Sequence, residues 1–331
     1  MHRSKILGTG SYLPDRVVKN ADLERWMDTT DQWIQQRTGI KERRFVEEGV
    51  GTSDLAWKAS RHALEAAHLT PQDLDFIVFA TLTPDYNFPG SGCLLQDKLG
   101  VGTIGALDVR NQCSGFLYAL AVADQFIRTG TYRHILVVGA EVHSTGLDLS
   151  TRGRDLAVIF GDGAGAVVLG PAGKEEGCLL ASHLHSEGKH AKRLWLEAPA
   201  SVLHPRLTVQ MIEEGRHYPR MDGRAVFKHA VERFQHVINE TLDAEHLAVK
   251  DVGLFILHQA NLRIAEAVAT AMRIPADRMF NNIERYGNTT AASIPIALDE
   301  AVRQGRLRPG DLVLLAAFGS GFTWAATLLR W

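Results

Sequence analysis

The chain alternates short continuous apolar runs with stretches of helical period, and Gly, Pro and Asn punctuate the boundaries. Residues 4–9 read as a strand closed by Gly10 and the Leu13-Pro14-Asp15 turn, with short helices expected from Asn20 and over 31–34. Leu55, Ala56, Ala59 and Ala63 recur at helical spacing, which predicts a helix capped by Ser53, running through His68 and stopped at Leu69-Thr70-Pro71. Residues 75–81 (DFIVFAT) form an unbroken apolar run, the pattern of a central strand covered on both faces. A helix is expected over 91–99, a short strand over 106–109, a long apolar helix from Cys113 to Thr129-Gly130, and a buried strand over 133–140. Residues 156–169 read as two β segments around Phe160-Gly-Asp-Gly-Ala-Gly. From Pro171 to about Asp222 the pattern weakens. A polar turn at 173–176 and a segment holding His183, His185, His190 and Pro205 read as a strand plus an irregular excursion near a substrate entrance. Helical spacing returns at Phe227, Ala230, Phe234, Val237 and Ile238.

The last hundred residues echo the first part. DVGLFIL at 251–257 matches DLDFIVF at 73–79, and GDLVLLAA from Gly310 matches RHILVVGA from Arg133. FGDGAGAVVLG at 160–170 has its counterpart in FGSGFTWAATLL at 318–329. Three elements repeated in the same order predict two pseudo-twofold halves, 1–172 and 173–331, packed into a layered α/β structure.

Bulk composition narrows the field. The 331 residues can bury a sizeable core, and 45% apolar with 22% charged residues describes a soluble globular chain. A net charge of −2 and the lack of any Lys/Arg run argue against general nucleic-acid binding. Cys93, Cys113 and Cys178 have neither disulfide nor zinc spacing. The amino terminus shows no signal-peptide pattern and no apolar run reaches membrane-spanning length, so a cytoplasmic protein is expected.

Candidate chemistry lies where strands give way to turns. Cys113 follows Arg110-Asn111-Gln112 at the mouth of an apolar helix, where the macrodipole favours an anion by roughly 0.3–2 kcal/mol and shifts the thiol toward thiolate. A buried packing role is the commoner fate of a lone cysteine. His258 directly follows the apolar run LFIL, and Asn288 sits in the turn Arg285-Tyr-Gly-Asn-Thr-Thr. Each is unremarkable alone. Together they suggest Cys, His and Asn at the carboxyl ends of buried strands, the edge on which open α/β sheets bind ligands.

The motifs LGTGSYLP, TTDQWIQQRTGIKER, QCSGF, IFGDGAGAVVL, HQANLRI, RYGNTTAASIP and FGSGFTW, in that order over nearly the whole chain, resemble those of the β-ketoacyl-acyl carrier protein synthase III family. These are condensing enzymes of the thiolase fold, so the resemblance implies an α-β-α-β-α layered structure. It implies a Cys113-His258-Asn288 constellation, with the backbone N–H groups of Cys113 and Ser320 forming an oxyanion hole. Coenzyme A contacts are implied at Trp33, Arg37, Arg154, Gly223, Phe227, Ala260, Asn261 and Arg263, and Phe88 is implied to shape the acyl pocket of a dimer partner. The implied reaction takes an acyl group from acyl-coenzyme A onto Cys113 and condenses it with a malonyl thioester, as in the initiation of fatty-acid synthesis. Coenzyme A thioesters enter as substrates, and no permanently bound cofactor or metal is expected. Acyl carrier protein is an expected partner, although the helix IAEAVATAMR after the HQANLRI motif offers only Arg263 and Arg273, so coenzyme A remains a rival thioester handle. Ser320 and Gln112 stand where the family commonly has Gly and a small residue. Those departures keep open a second reading, an acyltransferase of the same fold passing the Cys-bound group to another acceptor.

Overall fold

The computed structural model describes residues 3–173 and 177–331; the polar turn expected at 173–176 therefore falls mostly outside the described residues. Five strands, β1 (Arg3–Tyr12), β2 (Phe76–Ala80), β3 (Gly105–Val109), β4 (Ile135–Glu141) and β5 (Gly163–Ala172), build a first sheet in the order β1-β5-β4-β2-β3. Four more, β6 (Cys178–Ser186), β7 (Leu254–Leu257), β8 (Leu312–Gly319) and β9 (Thr323–Arg330), build a second in the order β7-β8-β9-β6. Read from β1 and from β6, the sheets have the same sense throughout: two antiparallel pairings, then a parallel one. Only the edge strand β3 lacks a counterpart.

The helices sort by layer. α1 (Asp31–Thr38) belongs to a satellite cluster around Ile34, while α2 (Thr52–Ala66) and α3 (Ser91–Leu99) cover the outer face of the first sheet. α4 (Gly115–Arg128) and α7 (Ser293–Arg303) lie between the sheets, and α5 (Gly223–Ala244) and α6 (Leu262–Met272) cover the outer face of the second. This is the five-layer α-β-α-β-α thiolase fold. The apolar runs follow from it. Val78, Ala80, Ile135 and Val137 pack inward on α4, while Ile77, Phe79, Leu136 and Val138 pack outward on α2 and α3. A strand with helices on both faces has no position left for water, so alternation disappears.

Four local expectations need correction. The residue capping α2 is Gly51, whose N–H donates to Asp54 at 2.8 Å; Ser53 lies within the helix and its hydroxyl donates to Asp85 at 2.8 Å. That helix ends at Ala66, two residues before His68. The first of the two β segments expected over 156–169 is not a strand: Arg154–Ala157 is a helical turn, because Leu156, Val158 and Ile159 bury against Val18, Ile34 and Ile283 rather than in a sheet. The stretch after β6 is more ordered than its composition suggests, with Leu194–Leu196 paired to Pro219–Met221 and a one-turn helix over Val209–Glu213. Among the described residues no helix is long and apolar enough to cross a membrane.

Candidate active site

Cys113 sits in a 3-10 turn, Gln112–Ser114, between the edge strand β3 and the first residue of α4. Gln112 adopts a φ of 45°, a left-handed conformation that costs a non-glycine residue on the order of 1–3 kcal/mol. The end of β8 closes on this turn. A Cβ added at Gly319 would lie 2.5 Å from the Cys113 Cβ and 2.7 Å from its Sγ, so only glycine allows the approach. The Ser320 and Cys113 N–H groups draw the thiol toward the anion. Ser320 uses its hydroxyl elsewhere, donating to the Leu194 carbonyl, so its departure from glycine ties the site to the 194–196 strand.

The expectation of a dipole-activated thiol does not hold. Burial, and next the charge of Glu141, push the Cys113 thiol up to about 12. A helix end supplies at most about 2 kcal/mol, whereas removing an anion from water costs more. The α-helix proper also begins two residues later, at Gly115.

His258 is the first residue beyond β7, its N–H donating to the Ala316 carbonyl on β8 at 2.8 Å. Its Nδ1 pairs with the Ser293 hydroxyl at 2.6 Å, whereas its buried Nε2 has no partner among the described residues. Burial, reinforced by the neighbouring His143, pushes its pKa down to about 3. The ring is neutral at physiological pH and offers Nε2 to a ligand. Asn288 does not end a strand, contrary to expectation; it follows the helical turn Ile283–Tyr286 and forms an isolated bridge with Phe160. The Thr290 N–H donates to its Oδ1 at 2.8 Å, which leaves Nδ2 as the free end of the amide. The strand preceding Cys113 is likewise a half-exposed edge rather than a buried strand. The turns Gln112–Ser114 and Thr290–Ala292 pack together, and the first also packs on the end of β8, the strand to which His258 is hydrogen-bonded.

The residues expected to hold coenzyme A form a connected surface. The guanidinium carbons of Arg37 and Arg154 lie 4.6 Å and 4.7 Å from the Trp33 ring centroid. The Asn261 side chain donates to the Arg37 carbonyl at 2.9 Å and caps α6 by accepting from the Arg263 N–H at 3.0 Å. Arg263 lies 5.9 Å from the Phe227 ring, Gly223 opens α5, and the Ala260 N–H donates to the His258 carbonyl at 2.9 Å. Phe88 stands apart, 84% exposed.

Two family models match the chain: 3-oxoacyl-[acyl-carrier-protein] synthase III over residues 107–188, and its C-terminal part over 242–331. The β-ketoacyl-[acyl-carrier-protein] synthase III of Thiobacillus denitrificans is 47% identical over 336 residues, covering 100% of both chains. The chain belongs to the 3-oxoacyl-[acyl-carrier-protein] synthase III family. A second synthase III, from Caldanaerobacter subterraneus subsp. tengcongensis, is 45% identical over 98% of this chain and 97% of its own. The crystal structure of 3-oxoacyl-[acyl-carrier-protein] synthase III from Aquifex aeolicus superposes with a TM-score of 0.91 at 43% identity, covering 99% of this chain and 100% of that one.

Sequence reasoning missed three polar residues that hold this candidate site together. Ser293 lies inside the quoted motif RYGNTTAASIP, but its partner His258 is 35 residues away. Glu141 ends the apolar strand β4, where a buried carboxylate should itself have drawn notice. It accepts from the Leu82 and Thr83 N–H groups at 3.0 Å, the Thr83 hydroxyl at 2.6 Å and the Ala291 N–H at 3.4 Å, and burial pushes its pKa up to about 7. Thr323 shares a hydrogen bond of 2.8 Å with the Ser114 hydroxyl and donates to the Ser320 carbonyl at 3.1 Å, joining the two walls around the sulfur.

Proposed function

We propose that Cys113 is the acyl-accepting nucleophile of a β-ketoacyl synthase III that starts fatty-acid chains. The enzyme is an acyltransferase. In the first half-reaction the Cys113 sulfur bonds to the carbonyl carbon of an acyl-coenzyme A. The coenzyme A sulfur departs and takes up the proton that the thiol gives. The Cys113 and Ser320 N–H groups receive the charge that builds on the carbonyl oxygen. In the second, a malonyl thioester loses carbon dioxide and the electrons of the broken bond form an enolate. His258 and Asn288 donate to its oxygen as neutral groups. The enolate carbon bonds to the acyl carbonyl, and the Cys113 sulfur leaves, regaining a proton. The observation that supports this reading is the close approach of Gly319 to the Cys113 sulfur, together with a neutral His258 whose Nε2 has no partner among the described residues.

The Trp33 face suits a coenzyme A adenine inserted between the indole and a guanidinium, with Arg37 and Arg263 at phosphates. The malonyl group arrives on acyl carrier protein or coenzyme A, and the enzyme holds no permanent cofactor. A homodimer is supported by exposed Tyr86 and Phe88, and by Leu107 on the unpaired edge of β3, and the cytoplasm is the compartment inferred for it. The halves are taken as 1–172 and 173–331.

The test supplies acyl-coenzyme A with malonyl-coenzyme A or malonyl carrier protein and follows carbon dioxide, product mass and the intact mass of the enzyme. A 3-oxoacyl product with an acyl adduct absent from Cys113→Ala is expected. Stable acylation without carbon dioxide release from either donor would refute condensation in favour of transfer to another acceptor. Asn288→Ala should acylate normally and fail to decarboxylate.

A further inference from the structure

Outside the acyl-transfer site, one group of side chains brings metal-ligand chemistry together on the outer face of the second sheet. His185 projects from the edge strand β6, and His236 and Glu240 lie one turn apart on α5. One ligand atom from each falls within 4.8 Å of the others. His185 Nε2 lies 2.6 Å from a Glu240 oxygen, and His236 Nδ1 lies 4.0 Å from the same oxygen. A tetrahedral ion with bonds of about 2.0–2.1 Å needs its ligands roughly 3.3–3.4 Å apart, between these two values. Closing on such an ion opens the His185–Glu240 pair by about 0.7 Å and draws in His236, whose side chain is 60% exposed.

His185 is anchored by its neighbours. The His185 ring stacks on Trp324, centroids 5.3 Å apart, and the His185 carbonyl accepts from the Tyr118 hydroxyl at 2.8 Å. Arg233, on the same helix, lies 5.1 Å from the Trp324 ring and pairs with Glu187 at 2.9 Å. Two imidazoles and one carboxylate select a borderline divalent d-block ion over magnesium or calcium, which prefer all-oxygen shells. Three protein ligands leave one position for water.

We propose that His185, His236 and Glu240 bind one divalent cation of the zinc class, pinning the edge strand β6 to α5. None of these residues belongs to the acyl-transfer machinery, so the ion is a structural clasp and takes no part in the condensation.

The test strips the full-length protein with a chelator, removes the chelator, and titrates with Zn²⁺ by calorimetry and with Co²⁺ by visible absorption. Saturable uptake of one equivalent per chain is expected, with a raised Tm. His236→Ala and His185→Ala should each weaken binding by at least about tenfold, the loss that even a ligand's hydrogen-bond partners cause. His236→Ala is safe for folding because the side chain is largely in water, and Glu240→Gln gives an independent check. Absence of one-equivalent uptake, uptake unchanged in both histidine variants, or uptake lost only on cysteine alkylation would each overturn the assignment.

Discussion

Ser293→Ala isolates the support of His258 from the rest of the site. Ser293 is 2% exposed, and its hydroxyl lies 2.6 Å from His258 Nδ1 while the Gln259 N–H approaches its oxygen at 3.4 Å. Nδ1 is the one acceptor that the Ser293 hydroxyl proton meets among the described residues, which leaves Nε2 as the protonated nitrogen, the donor that the proposed condensation requires. Removing one partner of a buried hydrogen bond costs about 1–3 kcal/mol. If that loss appears wholly in the transition state, the condensation rate falls roughly 5- to 150-fold at 1.4 kcal/mol per decade. Acylation relies on the Cys113 and Ser320 N–H groups and should change little. Single-turnover measurements resolve the two steps, following Cys113 acylation by intact mass and carbon dioxide release from the acylated enzyme. Because His258 is pushed down to about 3, the ratio of wild-type to variant rate should stay constant from about pH 6 to about pH 9. Ser293→Thr should restore part of the lost rate by returning the hydroxyl. Equal losses in both half-reactions, or a ratio that changes with pH, would refute the role given to Ser293.

Gly319→Ala places a methyl 2.5 Å from the Cys113 Cβ, so acylation should fall by at least about 10², the scale of losing an oxyanion donor; near-normal labelling would contradict the close approach. Trp33→Ala should raise KM for acyl-coenzyme A roughly 2- to 30-fold, from about 0.5–2 kcal/mol of cation–π stacking, with kcat held. An unchanged KM would remove Trp33 from the substrate face. Glu141 has a folded pKa of about 7 against 4.5 unfolded, so the folded state binds more protons between those values. Its protonated form therefore contributes stability that is full below about pH 4.5 and is lost as pH rises through about 7. In urea titrations wild type should lose roughly 1.4 kcal/mol per pH unit relative to Glu141→Gln across that window, and a flat difference would exclude such a shift.

The layers were readable because burial on both faces leaves an unmistakable run, as at Ile77, Val78 and Phe79. The helix over Ser91–Leu99 and the repeated order of strands were legible for the same reason. What failed depends on contacts distant in sequence. Ser53 looked like a cap, but its oxygen is drawn to Asp85 across 32 residues. Residues 156–160 are apolar enough for a strand, yet they fill the cluster around Ile34, and among the described residues their pairing stops at the isolated Phe160–Asn288 bridge. The residue types of the site were visible as motifs, whereas the state of Cys113 was not. A helix start can be inferred locally, but the desolvation that overrides it comes from elements spread over the whole chain.

Cys113 lies in the turn that leads into α4 of the first half of the chain, and His258 and Asn288 come from the second half. On the proposed chemistry the reaction belongs to the seam between the two sheets, so a substitution in the packing between α4 and α7, remote from every reacting atom, should change turnover by shifting the alignment of the donors with the sulfur.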